Sequence, residues 1–186
     1  MTFFLVFFIF LIFQRLTELL LAKKNERRMK ELGALEFGKL HYYFMTGMHS
    51  LFFAALFAEV MISRRGMNSL WVLLFTGFLL AQAARVWVIS SLGQFWNTKI
   101  IILPEAKLTT KGPYKFIKHP NYLIVTLELL IIPFMFNAYL TMIIFAILNA
   151  VILSIRIPLE ERALILVDDH VEGHLHKNRF FPKLSK

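Results

Sequence analysis

The residues with chemistry to offer gather at two places in this chain. One is Lys118-His119-Pro120-Asn121-Tyr122, preceded by Gly112-Pro113-Tyr114, and the other is Arg156-Ile157-Pro158-Leu159-Glu160-Glu161-Arg162. Gly112-Pro113 reads as a turn, because glycine tolerates positive φ and proline fixes its own. His119 precedes a proline and is biased away from the helical region, so a helix is expected to begin at or just after Pro120. That helix aims its free N–H groups and positive dipole end back at the loop. In the second place Arg156 and Glu160 are spaced i, i+4 and share a face of a continuous helix. Pro158 between them removes a backbone hydrogen bond and is expected to kink the helix, turning both side chains toward a pocket. A salt bridge that only steadies the helix end is the competing expectation. A guanidinium suits an anionic oxygen, and an imidazole or a carboxylate suits proton transfer.

The elements that must position these residues are membrane helices. Of 186 residues, 58% are apolar, and they fall in long blocks rather than short periodic stripes. Five blocks, at about 3–22, 44–62, 69–92, 121–136 and 139–157, predict an all-α integral membrane bundle of five transmembrane helices in one membrane domain, residues 1–186. The first is expected to be retained, since no basic residue precedes it and no small-residue cleavage site follows. Residues 23–43 read as a loop with a short amphipathic helix, 93–120 as a polar loop, and 159–186 as a charged tail. Asn137-Ala138 is short enough to force the last two blocks into an antiparallel pair. Cysteine is absent, which excludes disulfides, a thiolate nucleophile and iron–sulfur ligation.

The formal charge of +9 does not point to nucleic acid, because the basic residues sit in short loops between the apolar blocks. Sixteen of them fall on one side of the predicted topology and two on the other. The excess predicts an outside N-terminus and a cytoplasmic side holding the first loop, the 93–120 loop and the tail. Arg15, Glu18, Arg85, Glu128 and Arg156 then lie within roughly 12 Å of the cytoplasmic face. Charges in lipid need a partner or a wet cavity, so a shared polar cavity is one expectation and structural ion pairs such as Arg85 with Glu128 are the other. Glu59 is expected to snorkel to the opposite face.

Ser91-Leu92-Gly93 with Phe95-Trp96, then Thr110-x-Gly112-Pro113-Tyr114, then Lys118-His119-Pro120-x-Tyr122, and after a helical hairpin Arg156-x-x-x-Glu160-Glu161, resemble the isoprenylcysteine carboxyl methyltransferase family. The similarity covers roughly residues 90–182, and FWNTKI and SIRIPLEERAL look closest to a bacterial branch that includes alkylpyrone O-methyltransferases. The resemblance implies five membrane helices, an S-adenosylmethionine site enclosed by the loop and the C-terminal segment, and a lipid-accessible tunnel for a lipophilic acceptor of polyketide or isoprenoid type. It places Gly112, Pro113, Tyr114, Lys118, His119, Pro120 and Tyr122 on the cofactor motif, Glu160 and Glu161 on the acidic pair near the cofactor, and Arg156 on the acceptor. Lys118 stands where the family usually carries arginine, a point charge in place of a planar fork. His170, His174 and His176 replace a glycine and tyrosine pattern, and they are expected to be exposed helix histidines rather than metal ligands, since methyl transfer needs no metal.

In-line methyl transfer from a sulfonium, giving S-adenosylhomocysteine, needs a deprotonated acceptor oxygen held close to the methyl with water excluded. Arg156 would neutralise a carboxylate or enolate. A carboxylate needs no base, whereas for an enol Glu160 or His119 would take the proton. Two other readings compete. NADPH-dependent sterol-type membrane reductases carry a similar His-Pro-Asn-Tyr stretch, but Leu123-Ile124 follow it here in place of a small residue and an acid. A non-catalytic lipid-binding bundle would use the charges only for orientation.

Overall fold

The computed structural model describes residues 1–104, 106 and 109–167. Helices dominate: α1 is Thr2–Glu31, α2 Lys39–Ser63, α3 Trp71–Leu92, α4 Pro120–Met135 and α5 Tyr139–Val167. Two short strands, β1 at Leu35–Phe37 and β2 at Ile100–Ile102, pair antiparallel with Glu36 opposite Ile101. The bundle is all-helical as expected, apart from this three-residue clasp, which joins the two polar connections. α1, α2, α3 and α5 are each long and apolar enough to cross a membrane. α4 has 16 residues and spans about 24 Å, short of a typical hydrocarbon core. The expectation of five full spans is therefore met by four long apolar helices and one shorter apolar helix, packed on α3 and α5. The outward faces carry exposed Val6, Ile9, Leu20, Ile62, Leu80 and Leu140, as a helix bundle solvated by lipid requires.

Three boundaries differ from the sequence reading, each for a local reason. Residues 23–31 are not a loop but the continuation of α1, held by i, i+4 pairs of Lys30 with Glu26 at 2.6 Å and Arg27 with Glu31 at 3.1 Å. Gly33, at φ +90°, ends the run, and Gly38, at φ +63°, opens α2 five residues earlier than the hydrophobic block suggests. α5 runs through Pro158 to Val167, so the first part of the expected tail is helical. Glu59 does not snorkel. Its carboxylate accepts the Leu140 and Thr141 N–H groups at 3.1 and 2.7 Å and the Thr141 hydroxyl at 2.7 Å, capping the first turn of α5. His170, His174 and His176 lie outside the described residues.

The bundle has an aromatic end and a polar end. Phe4, Phe7, Phe52, Phe78, Phe136 and Phe145 are buried together near the α4–α5 turn, with edge-on pairs such as Phe4–Phe136 at 4.9 Å and Phe7–Phe78 at 5.0 Å. Such pairs each add about 0.5–1.5 kcal/mol beyond area burial. Asn137, at φ +56°, makes the turn, and its side chain meets Asn68 at 2.8 Å. The aromatic cluster thus fills the end of the bundle away from the 93–120 loop, whose residues line a cavity.

Candidate functional site

The approach to the cavity is built by the segment between α3 and β2. Asn25 of α1 donates to the Gly93 and Trp96 carbonyls at 3.1 and 2.8 Å, and Asn97 donates to the Ala22 carbonyl at 3.2 Å. Lys99 follows, 2.7 Å from Glu26 and 3.3 Å from Glu36. Burial alone would raise the Glu36 carboxyl, but the ammonium groups of Lys30 and Lys99 outweigh it and hold the group below its usual range. Burial would likewise lower Lys99, and the two carboxylates hold it above its ordinary value. These contacts hold the Thr98 carbonyl where Arg156 Nη2 donates to it at 2.6 Å.

Opposite that segment, His119 sits at φ −122°, outside the helical region, and α4 begins at Pro120 as its sequence predicts. One turn in, the Tyr122 hydroxyl donates to Glu160 Oε2 and accepts from Arg156 Nε at 2.9 Å. The His119 ring stacks on Tyr122 at 5.2 Å and places Nε2 3.4 Å from Glu161 Oε1, which also lies 3.5 Å from Lys118 Nζ. Arg156 and Glu160 therefore share a face and both reach Tyr122. α5 continues through Pro158, and both side chains face the pocket, as expected of them.

Gly112 is at φ +56°, and a Cβ there would collide with Ser91 Oγ and come within 3.0 Å of Trp87 Nε1. It lets the Gly112–Lys115 turn close onto α3. The turn carries Tyr114, whose phenol is pushed above its ordinary value by burial and then by the Glu160 carboxylate.

A cavity of about 470 Å³ runs between these groups. Of the residues singled out in the sequence, Tyr114, Lys118, His119, Tyr122, Arg156 and Glu160 line it. Gly112, Pro113, Pro120 and Glu161 are not on its wall: the first three shape the turn and the helix start, and Glu161 lies behind Lys118 and His119. Sequence reasoning quoted Thr98, which acts through a backbone carbonyl, and Asn121 within the FWNTKI and His-Pro-Asn-Tyr stretches but gave them no role. It quoted Trp96 within a motif without assigning it a role. Trp96 Nε1 and Asn121 Oδ1 are buried with no hydrogen-bond partner among the described residues, and both residues line the cavity. An orphaned donor and an orphaned acceptor on residues that line one cavity suit a polar ligand.

The inner end of the cavity meets the intramembrane charges. Arg15 and Arg85 both bind Glu128, with Arg85 Nε 3.1 Å from Oε1, and both bind Glu18, at 2.7 and 3.2 Å. Gln82 donates to Glu128 at 2.7 Å and Gln14 to Glu18 at 3.0 Å. The structure thus contains the Arg85–Glu128 ion pair and also gives Arg15, Glu18, Arg85 and Arg156 a shared cavity, while Glu128 is sealed behind it.

Comparison with known proteins places the chain among relatives. A Bacillus subtilis protein, the uncharacterized YpbQ, is 47% identical over 154 residues, covering 83% of this chain and 92% of that protein. An uncharacterized Haemophilus influenzae protein is 27% identical over 151 residues, covering 81% of this chain and 88% of its own length. Residues 71–166 match the isoprenylcysteine carboxyl methyltransferase (ICMT) family, a stretch that holds α3, α4, most of α5 and every site residue singled out in the sequence. With that match covering just over half of its 186 residues, the chain belongs to the isoprenylcysteine carboxyl methyltransferase family.

Proposed function

We propose that this membrane protein is an S-adenosylmethionine-dependent O-methyltransferase whose acceptor is a lipophilic carboxylate or enol drawn from the bilayer. The observation that carries the reading is the convergence of Arg156, Tyr122 and Glu160 on one wall of a cavity that also holds an unpartnered indole N–H and an unpartnered amide oxygen. The residues present fit the cofactor. Trp96 Nε1 and Asn121 Oδ1 offer a donor and an acceptor to polar edges, while Lys118, His119 and Glu160 offer charge and hydrogen bonds to its amino-acid and ribose groups. Glu161 steadies Lys118 and His119, and Gly112, Pro113 and Pro120 set the turn that carries Tyr114 and the start of the helix that carries Tyr122. Bound there, S-adenosylmethionine supplies an electrophilic methyl group on a sulfonium.

Arg156 positions the acceptor oxygen. Two of its donors are committed to fixed partners, the Thr98 carbonyl and the Tyr122 hydroxyl, which aims the guanidinium and leaves its remaining N–H groups for an anionic oxygen. A carboxylate needs nothing more. For an enol, Glu160 takes the proton, relayed through Tyr122 or directly, with His119 the next candidate. The wall between the polar groups is hydrocarbon, from Leu16, Met45, Phe53, Val125 and Ile152, which suits a lipid tail and keeps water low. The basic excess of the connections supports placing this end of the bundle on the cytoplasmic side, where the water-soluble cofactor is supplied.

The test is transfer of a labelled methyl group from S-adenosylmethionine into a bacterial lipid extract by the purified protein. Base-labile label marks an ester and base-stable label an enol ether. Arg156→Ala and Glu160→Ala that retain normal transfer would refute the assigned roles.

A further inference from the structure

His49, on α2, lies outside the 71–166 stretch that matches the family, yet it lines the same cavity. Its Nδ1 is 2.8 Å from the Met45 carbonyl oxygen. A carbonyl only accepts, so Nδ1 carries the proton and Nε2 holds a lone pair. Among the described residues Nε2 has no hydrogen-bond partner, and it is not sealed in the protein interior. The neighbouring hydroxyls do not serve it: Thr46 donates back to the Tyr42 carbonyl at 2.9 Å and Ser50 to the Thr46 carbonyl at 3.0 Å.

The surroundings define what this nitrogen can bind. Arg15, Arg85 and Glu128 are its charged neighbours, and with Glu18 they form a closed set of two guanidiniums and two carboxylates with no net charge. Nothing here draws an ion. The inner end therefore offers a neutral acceptor beside the hydrocarbon of Ile12 and Phe53, which fits a hydroxyl better than a carboxylate or an ammonium. His49 and Arg156 line the same cavity from α2 and α5; His41, within electrostatic reach of Arg156, precedes His49 by eight residues, which sets the scale of the separation at about 12 Å of helix. Thr46 and Ser50 are exposed although they line the cavity, so the cavity is open along α2, the side from which a bilayer ligand can enter.

We propose that His49 Nε2 accepts a hydrogen bond from a second polar group of the acceptor, a hydroxyl, separated from the oxygen at Arg156 by about 12 Å of hydrocarbon. The methyl acceptor is then a hydroxylated lipophile rather than a simple fatty or prenyl chain. The inference rests on the proposed placement of the acceptor oxygen at Arg156.

The probes are decanoic acid and 10-hydroxydecanoic acid, titrated by calorimetry into the full chain in lipid nanodiscs. The hydroxy acid is expected to bind about fivefold tighter, the contribution of one net hydrogen bond. His49→Phe removes the preference without weakening decanoic acid, and His49→Gln, which keeps an acceptor oxygen, retains part of it. Equal binding of the two acids to the wild-type protein, or a preference that survives in His49→Phe, overturns the proposal. The wild-type comparison needs no variant to fold. S-adenosylhomocysteine titrated into the same samples reads the methyltransferase assignment separately, so failure of one leaves the other measured.

Discussion

Arg156→Lys isolates the role of the guanidinium from its charge. Arg156 is 4% exposed and directs Nε to the Tyr122 hydroxyl and Nη2 to the Thr98 carbonyl, 2.9 and 2.6 Å away. A lysine keeps the cation and much of the stem, but its single ammonium cannot meet both partners and still face the cavity. One hydrogen bond from a charged donor is lost, worth about 1.5–3 kcal/mol in a buried setting. If that bond aims the group that holds the acceptor, transfer falls about ten- to a hundredfold. The assay is initial rate of labelled methyl incorporation into lipid at saturating cofactor, with thermal unfolding in detergent as the control. The melting temperature is expected to fall by about 3–12 °C, with the protein folded at assay temperature, S-adenosylhomocysteine affinity unchanged and kcat lowered. A variant that transfers at the wild-type rate would show that the fork geometry is irrelevant. A variant that loses cofactor affinity as much as rate would move Arg156 from the acceptor to the cofactor.

Other perturbations test the scaffold. Glu128→Ala leaves the buried Arg85 and the half-buried Arg15 to share Glu18 alone and is expected to destabilise the bundle by up to about 3–5 kcal/mol, measured by detergent or thermal unfolding; Glu128→Gln, which still accepts hydrogen bonds, should cost less. Gly112→Ala puts a side chain at φ +56° and against Ser91 Oγ, a strain of about 1–3 kcal/mol, and Ser91→Ala should recover part of it in a double variant, the contacts with Trp87 Nε1 and Ser91 Cβ remaining. Glu36 has a carboxyl held below its ordinary value of 4.5, so its pairing with Lys30 and Lys99 stabilises fully above that value and is lost as pH falls through the lowered one. Glu36→Gln should therefore lower the melting temperature at neutral pH and reduce its further fall on acidification.

The site was legible in the sequence where a residue's backbone preference or spacing carries the information. His119 before proline, the helix start at Pro120, the left-handed glycine at 112 and the i, i+4 placement of Arg156 and Glu160 are all local, and the structure contains each. The Arg85–Glu128 pair was legible because charges at one membrane depth have few partners available. What was missed is non-local or made by backbone. The Thr98 carbonyl leaves no side-chain signature, and its position depends on Asn25 and Asn97 reaching across 68 to 75 residues of chain. Glu59 was read from depth alone, whereas its partners are the N–H groups of a helix that begins 80 residues later. The extension of α1 to Glu31 was obscured because hydropathy marks where a helix leaves the apolar core, not where its hydrogen bonding stops.

The central claim is that the cavity walled by Tyr114, His119, Tyr122, Arg156 and Glu160 binds S-adenosylmethionine. Calorimetric titration of S-adenosylhomocysteine, and separately of NADPH, into the purified protein tests it directly. Saturable binding of S-adenosylhomocysteine, weakened by His119→Ala and by Trp96→Phe, with no heat from NADPH, is the result expected. Binding of NADPH alone, or of neither, contradicts it.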